Sequence, residues 1–172
     1  MKRVLLLMLL GLIVGVNASS QKYGFIDTDY ILKNLPSYSA AQEQLNQTSK
    51  AYQSEVEAKF DEVEAAYKAY QTESVFLSPE LKVKRENEII EKEKSAKALQ
   101  QRYFGAEGEL FKKRQALIKP IQDEIYNAVK ELAKEENLSA FFDKAAGTMG
   151  IIYADPKLDR SDVILSKLGV SK

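Results

Sequence analysis

From Ser37 to Phe76 the chain runs for 40 residues without a Gly or a Pro. Those two residues most often end a helix, and the Ala, Gln, Glu, Lys and Tyr that fill the stretch favour one. A helix of that length spans roughly 60 Å at 1.5 Å per residue, too long for the core of a small domain to flank on all sides. Leu77-Ser78-Pro79-Glu80 then punctuates it. Ser78 is a good N-cap, Pro79 suits the first helical position, and Glu80 favours the positive end of the helix dipole. A second helix therefore starts at Pro79 and runs back antiparallel, which makes a hairpin arm over residues 37–120 with its tip near 77–79.

The apolar positions of the outgoing leg are Ala41, Leu45, Thr48, Tyr52, Val56, Phe60, Val63, Tyr67 and Tyr70. Their mean spacing of about 3.6 makes one narrow seam, too polar for a leucine zipper. The returning seam reads Leu81, Ile89, Ala96, Leu99, Tyr103, Leu110, Leu117, Ile121, Ile125, Val129 and Leu132. Gly105 and Gly108 interrupt it, each costing about 1 kcal/mol in a helix interior. They read either as a hinge in the arm or as a local packing requirement. Pro120 is expected to kink or break the helix where arm meets body.

Charge is divided between the legs. Ser37 to Leu77 carries 3 positive and 7 negative residues, a net of −4, whereas Ser78 to Tyr103 carries 7 and 5, a net of +2. The legs are thus complementary, which helps to set partner and register more than stability.

Both ends of the chain read differently. Lys22 to Asp27 alternates with aromatic and β-branched residues, as a strand does, and Thr28 or Asp29 caps a short helix from Tyr30 to Leu35 that Pro36 stops. Ser37 caps the long helix. After Asn137, Ala140–Asp143 and Ile151–Tyr153 read as two more strands, and Ser161 caps a last helix, Asp162 to Leu168, ended by Gly169. The fold class is therefore α+β and mostly helical: a long antiparallel hairpin on a small, discontinuous β-body from residues 19–36 and 121–172. So little core suggests an oligomer in which the sheets of several subunits close on one another.

Met1-Lys2-Arg3 followed by the apolar run Val4 to Val16 has the form of a signal peptide over residues 1–18, with cleavage after Ala18 or, alternatively, after Ser20. The whole chain has 25 basic and 25 acidic residues, so loss of Lys2 and Arg3 leaves 23 against 25, a net charge of −2. That balance argues against a nucleic-acid binder. The chain has no His and no Cys, which excludes disulfides, zinc fingers and His-dependent nucleophilic catalysis. We expect no enzyme, cofactor or metal site.

Tyr23-Gly-Phe-Ile-Asp-Thr-Asp-Tyr-Ile-Leu32, Tyr103-Phe-Gly-Ala-Glu-Gly-Glu-Leu-Phe-Lys-Lys-Arg114, Ile118-Lys-Pro-Ile121, Phe142-Asp143, Ile152-Tyr-Ala-Asp155 and Asp162-Val-Ile-Leu165, taken in this order, resemble the Skp/OmpH family of periplasmic chaperones across essentially the whole exported chain. The resemblance implies a soluble periplasmic homotrimer whose β-body carries three arms around a cavity. It also implies holding of unfolded outer-membrane β-barrel proteins without ATP. A structural coiled-coil adaptor of the cell envelope is the alternative, and a lipid-binding envelope protein comes third.

Under the chaperone reading, Tyr52, Phe60, Tyr67, Tyr70 and Phe76 either pack between the legs or line the cavity as an apolar wall for clients. Phe76 and Leu77 beside Lys82, Lys84 and Arg85 form a candidate tip that meets clients or an anionic membrane surface. Lys112-Lys113-Arg114 reads as a solvated face. The candidate oligomerisation strands contain Tyr23, Phe25, Ile26, Phe141, Phe142, Ile151, Ile152 and Tyr153.

Overall fold

The computed structural model describes residues 22–147 and 151–170. The signal-peptide assignment therefore lies outside the described residues. In chain order the elements are β1 (Tyr23–Ile26), α1 (Thr28–Asn34), α2 (Pro36–Glu73), a 3₁₀ turn (Ser74–Phe76), α3 (Pro79–Phe104), α4 (Glu109–Glu135), β2 (Ala140–Asp143), a second 3₁₀ turn (Pro156–Leu158) and α5 (Ser161–Lys167). The long hairpin is present: α2 goes out, and α3 and α4 return along it.

Local chemistry explains most of the boundaries. Ser78 caps α3 by accepting from the Leu81 N–H, with Pro79 opening the helix, as expected. Three other caps differ from expectation, that of α5 among them. Asp27, not Thr28 or Asp29, caps α1 by accepting from the Tyr30 N–H at 2.9 Å. Leu35 rather than Ser37 occupies the N-cap of α2, because Pro36 serves as its first residue. A proline there forfeits no hydrogen bond and has its φ already set for the helix. The same residue thus separates α1 from α2 and starts α2.

Pro120 was expected to kink or break the return leg, yet α4 continues through it to Glu135. Pro120 and Ala116, four residues before it, are both exposed. The carbonyl that loses its partner therefore lies on the solvent side, where water can satisfy it. The end of α4 is sharp. Asn137 takes a φ of 55°, Leu138 N–H donates to the Ala133 carbonyl at 2.8 Å and Asn137 N–H to the Lys134 carbonyl at 3.4 Å. This is the paired bonding that lets a left-handed residue close a helix. Gly169, with φ 83°, repeats the device after α5.

β1 and β2 pair in parallel, Tyr23 opposite Ala140 through Ile26 opposite Asp143. A single bridge joins Phe25 to Asp159 on the other side of β1. The third expected strand, Ile151–Tyr153, does not form: its residues pair with nothing in the sheet, and Ile152 and Tyr153 are fully and largely exposed, respectively. An aromatic, β-branched run specifies extended backbone, but a strand exists only where an edge meets it.

The core lies in the body. Ile26 and Ile31, with Leu35 and Ala41, pack on Ile121, Ile125, Ala128 and Leu132 of α4 and on Ile164 and Leu165 of α5. Ile31, Ile164 and Leu165 are its most completely buried side chains. The core includes Ala41 of α2, and Leu117 and Ile118 pack against it, so the arm's first turns share it.

Polar ties close the body. Asp143, ending β2, accepts the Thr28 N–H at 3.1 Å and the Thr28 hydroxyl at 2.6 Å. Ser161 was expected to cap α5. Instead it is the buried first residue of that helix, accepting the Asp27 N–H at 2.9 Å and donating to Asp159 Oδ1 at 2.7 Å.

Candidate functional site

The two legs of the arm meet along one seam, and beyond the body only a few of its side chains are buried. Leu45 and Val56 on α2 and Ala96 and Tyr103 on α3 are enclosed. Phe60, Val63 and Tyr70 are half-buried. Tyr67 is off the seam at 51% exposure, with the neighbouring Ala66 half-buried in its place. The seam steps from Val63 to Ala66 and then to Tyr70, three and four residues on. Leu81, expected in the returning seam, is about half exposed, whereas Ala128, absent from it, is buried.

Cross-leg polar contacts set the register. Tyr70 donates to Glu86 Oε1 at 2.5 Å, and Lys92 reaches Glu62 at 3.3 Å. Lys59 shares Glu62 and, with Lys92, holds that carboxyl below its usual range. Apart from the half-buried Tyr70 these residues are exposed, so the pairs guide pairing more than they stabilise it.

At the tip, Phe76 is 88% exposed and Val75 nearly as open, while Leu77 is partly covered. The three cations singled out there have different surroundings. Arg85 pairs with Glu88 at 3.0 Å and approaches Glu73 at 4.0 Å. Lys84 lines an open groove of about 930 Å³ with Lys59, Glu62, Val83 and Asn87, and Lys82 is half-buried. Glu80, Glu86 and Glu88 interleave with them, so the cations do not form a continuous basic patch.

The most elaborate part of the arm is the junction between α3 and α4. The Tyr52 and Tyr103 rings stack 3.9 Å apart at 4°, and Phe104 meets both edge-on. The Tyr103 hydroxyl donates to Glu55, and Tyr52 donates to Glu109 Oε2 at 3.1 Å. Arg102 Nε donates to the other oxygen of Glu109 at 2.8 Å, and its guanidinium lies 5.0 Å from the Tyr103 ring centre. Bonding to Glu55 pushes the Tyr103 hydroxyl above its usual pKa. Burial, then Glu109, does the same for Tyr52. Both phenols remain protonated donors at any physiological pH.

Gly105 and Gly108 bracket this break. Neither has a positive φ, so close approach is what requires them. A Cβ on Gly105 would lie 2.4 Å from the Gln101 carbonyl oxygen, and one on Gly108 2.7 Å from that of Tyr103. Arg102, Glu55 and Glu109 were not among the residues singled out from the sequence. The signal that could have found them is symmetry: Tyr52 and Tyr103 each lie 25 residues from the turn at Leu77–Ser78, hence side by side in a hairpin.

On the body, one face of the sheet is aromatic. Tyr23, Phe25 and Phe142 touch edge to face or tilted, with centroids 5.7–6.0 Å apart. Ile26 and Phe141 face the opposite way, into the core. Ile151 is half-buried. Among the described residues, no group of three or more His, Cys, Asp or Glu could hold a metal ion, and no helix is long and apolar enough to cross a membrane.

The fold matches a crystal structure from Caulobacter crescentus CB15 described as "a putative outer membrane chaperone (OmpH-like)", with a TM-score of 0.71 and 12% identity over 86% of this chain and 83% of that one. A protein of Aquifex aeolicus (strain VF5), described as an "Uncharacterized protein", is 27% identical over 160 residues, 93% of each chain. Residues 22–168 match the outer membrane protein (OmpH-like) family, and the chain belongs to that family.

Proposed function

We propose that this chain is an ATP-independent holdase of the periplasm that, as a homotrimer, keeps unfolded outer-membrane β-barrel proteins from aggregating between its arms. Membership of the OmpH-like family supports a chaperone rather than an enzyme. The observation that carries the finer reading is the arm itself. A hairpin about 40 residues long on each side leaves the body with only a narrow seam buried, so its remaining faces are free to touch something else. Tyr67, Phe76, Leu81, Val83 and Ile90 are apolar side chains scattered along those faces among charges. Such a surface makes many weak contacts, which hold a client yet let it leave.

The trimer draws support from the sheet. Two parallel strands are too few to be stable alone, β2 has no neighbour beyond β1 among the described residues, and Tyr23, Phe25 and Phe142 leave an aromatic face that a copy of the same sheet would cover. Ile152 and Tyr153, unpaired among the described residues, are the natural third strand of such an assembly. The exposed Val75 and Phe76 at the tip are suited to contact with clients.

The test is dilution of a denatured outer-membrane barrel into buffer with the exported chain. Suppressed light scattering at a few-fold excess of trimer, with no nucleotide, supports the holdase. Unchanged aggregation would instead favour the envelope adaptor. Sedimentation equilibrium checks the trimer separately.

A further inference from the structure

We infer that the Tyr52–Tyr103 stack, with Glu55, Arg102 and Glu109, is a latch that holds the distal hairpin at a fixed angle to α4. The geometry assigns each contact a place. Gly105 to Gly108 leaves the returning leg with a gap between two helices, and slack there would let α3 swing. Three ties remove it. Arg102 and Glu109 span the gap directly. Glu109 fastens the start of α4 to Tyr52. Tyr103, the penultimate residue of α3, is fastened to the same turn of α2 by its stack on Tyr52 and its bond to Glu55.

The outgoing leg explains why a latch is needed and why it can open. α2 passes the gap unbroken, so the distal hairpin turns only if α2 curves near Tyr52. A helix with no Gly or Pro in its interior bends gently and springs back. The latch sits where that curvature concentrates, and both oxygens of one carboxylate, Glu109, are committed to it. Its strength sets how far an arm opens.

The chain contains no Cys, so labels can be placed at will. Spin labels at Gln71→Cys and Lys130→Cys, both exposed positions, report the distance from distal arm to body by pulsed electron resonance. Labelled chains are diluted with unlabelled ones so that only distances within a chain are read. A second pair at Glu57→Cys and Asn87→Cys lies within the distal hairpin and checks that it remains folded. Glu109→Gln, and separately Arg102→Gln, should roughly double the width of the first distribution and leave the second unchanged. About 1 M salt, which screens the exposed Arg102–Glu109 pair, should act in the same direction on the unsubstituted arm. Should Glu109→Gln melt the hairpin, Arg102→Gln decides, because its side chain is mostly exposed and packs little. An unchanged first distribution in Arg102→Gln overturns the latch. No client is present, so this outcome is independent of the holdase reading.

Discussion

Tyr52 and Tyr103 lie face to face, 3.9 Å apart and within 4° of parallel, at the point where the returning leg of the arm is broken and the outgoing leg is not. Tyr103 is the largest buried side chain of the arm's seam, in a hairpin that otherwise buries Leu45, Val56 and Ala96. The arm's cohesion is concentrated there. Tyr103→Ala removes both the stack and most of the local burial, and should destabilise the arm by about 3–5 kcal/mol. Tyr52→Phe keeps the stack and loses one hydrogen bond, costing about 0.5–1.5 kcal/mol. Helix melting followed by circular dichroism should rank the two in that order.

Gly108→Ala places a methyl group 2.7 Å from the Tyr103 carbonyl oxygen and 2.9 Å from the Gly105 nitrogen, both backbone atoms that cannot rotate away. We expect a loss of about 1–3 kcal/mol, as for overpacking elsewhere. Gly147→Ala, where a Cβ meets nothing within 4 Å among the described residues, is the matched control and should change stability by less than about 0.5 kcal/mol. Equal effects at the two positions in urea titration would refute the close-approach account.

Pro120 sits inside α4 without ending it, at an exposed position. Pro120→Ala restores a helical hydrogen bond and should raise stability by up to about 3 kcal/mol. An unchanged or lower melting temperature would show that the proline is needed for packing at the base of the arm.

Burial pulls the Asp159 carboxyl upward, but hydrogen bonds from Lys144 and Ser161 outweigh it and hold the group below its usual pKa. Lys144, bonded to Asp159 at 2.6 Å, is raised above its own. The sign follows. Asp159 stabilises the fold at pH values above the ordinary carboxylate range, and that contribution fades as pH falls through its lowered folded value. Lys144 contributes below the ordinary lysine range and loses its contribution as pH rises through its raised value. Asp159→Asn should therefore destabilise the body at neutral pH by about 1–3 kcal/mol, and flatten the acid limb of the stability curve. An acid limb identical to that of the unsubstituted chain would exclude Asp159 from it.

The arm was legible because its information is local. The 40 residues free of Gly and Pro, the Ser78-Pro79 restart and the spacing of Leu45, Val56 and Ala96 each act within one helix or across one antiparallel pair. Strand β2 was legible as well, from its composition. Less visible were the ends of elements, where two residues compete for one role. Asp27 won the α1 cap that Thr28 and Asp29 could equally have taken, and Thr28 went to Asp143 of β2 instead, 115 residues away. Ile151–Tyr153 has a strand's composition and no partner edge among the described residues.

By itself, then, the sequence determined a two-legged helical arm and the extended segments Tyr23–Ile26 and Ala140–Asp143, since helix propensity and hydrophobic period are written residue by residue. Only the tertiary structure decided that Pro120 is carried through a helix, that Gly105 and Gly108 serve a crowded backbone, and that Glu109 joins Tyr52 and Arg102 across the break. The physical reason is that each of these depends on which side faces solvent or which chain passes close by, and neither is encoded in any single stretch.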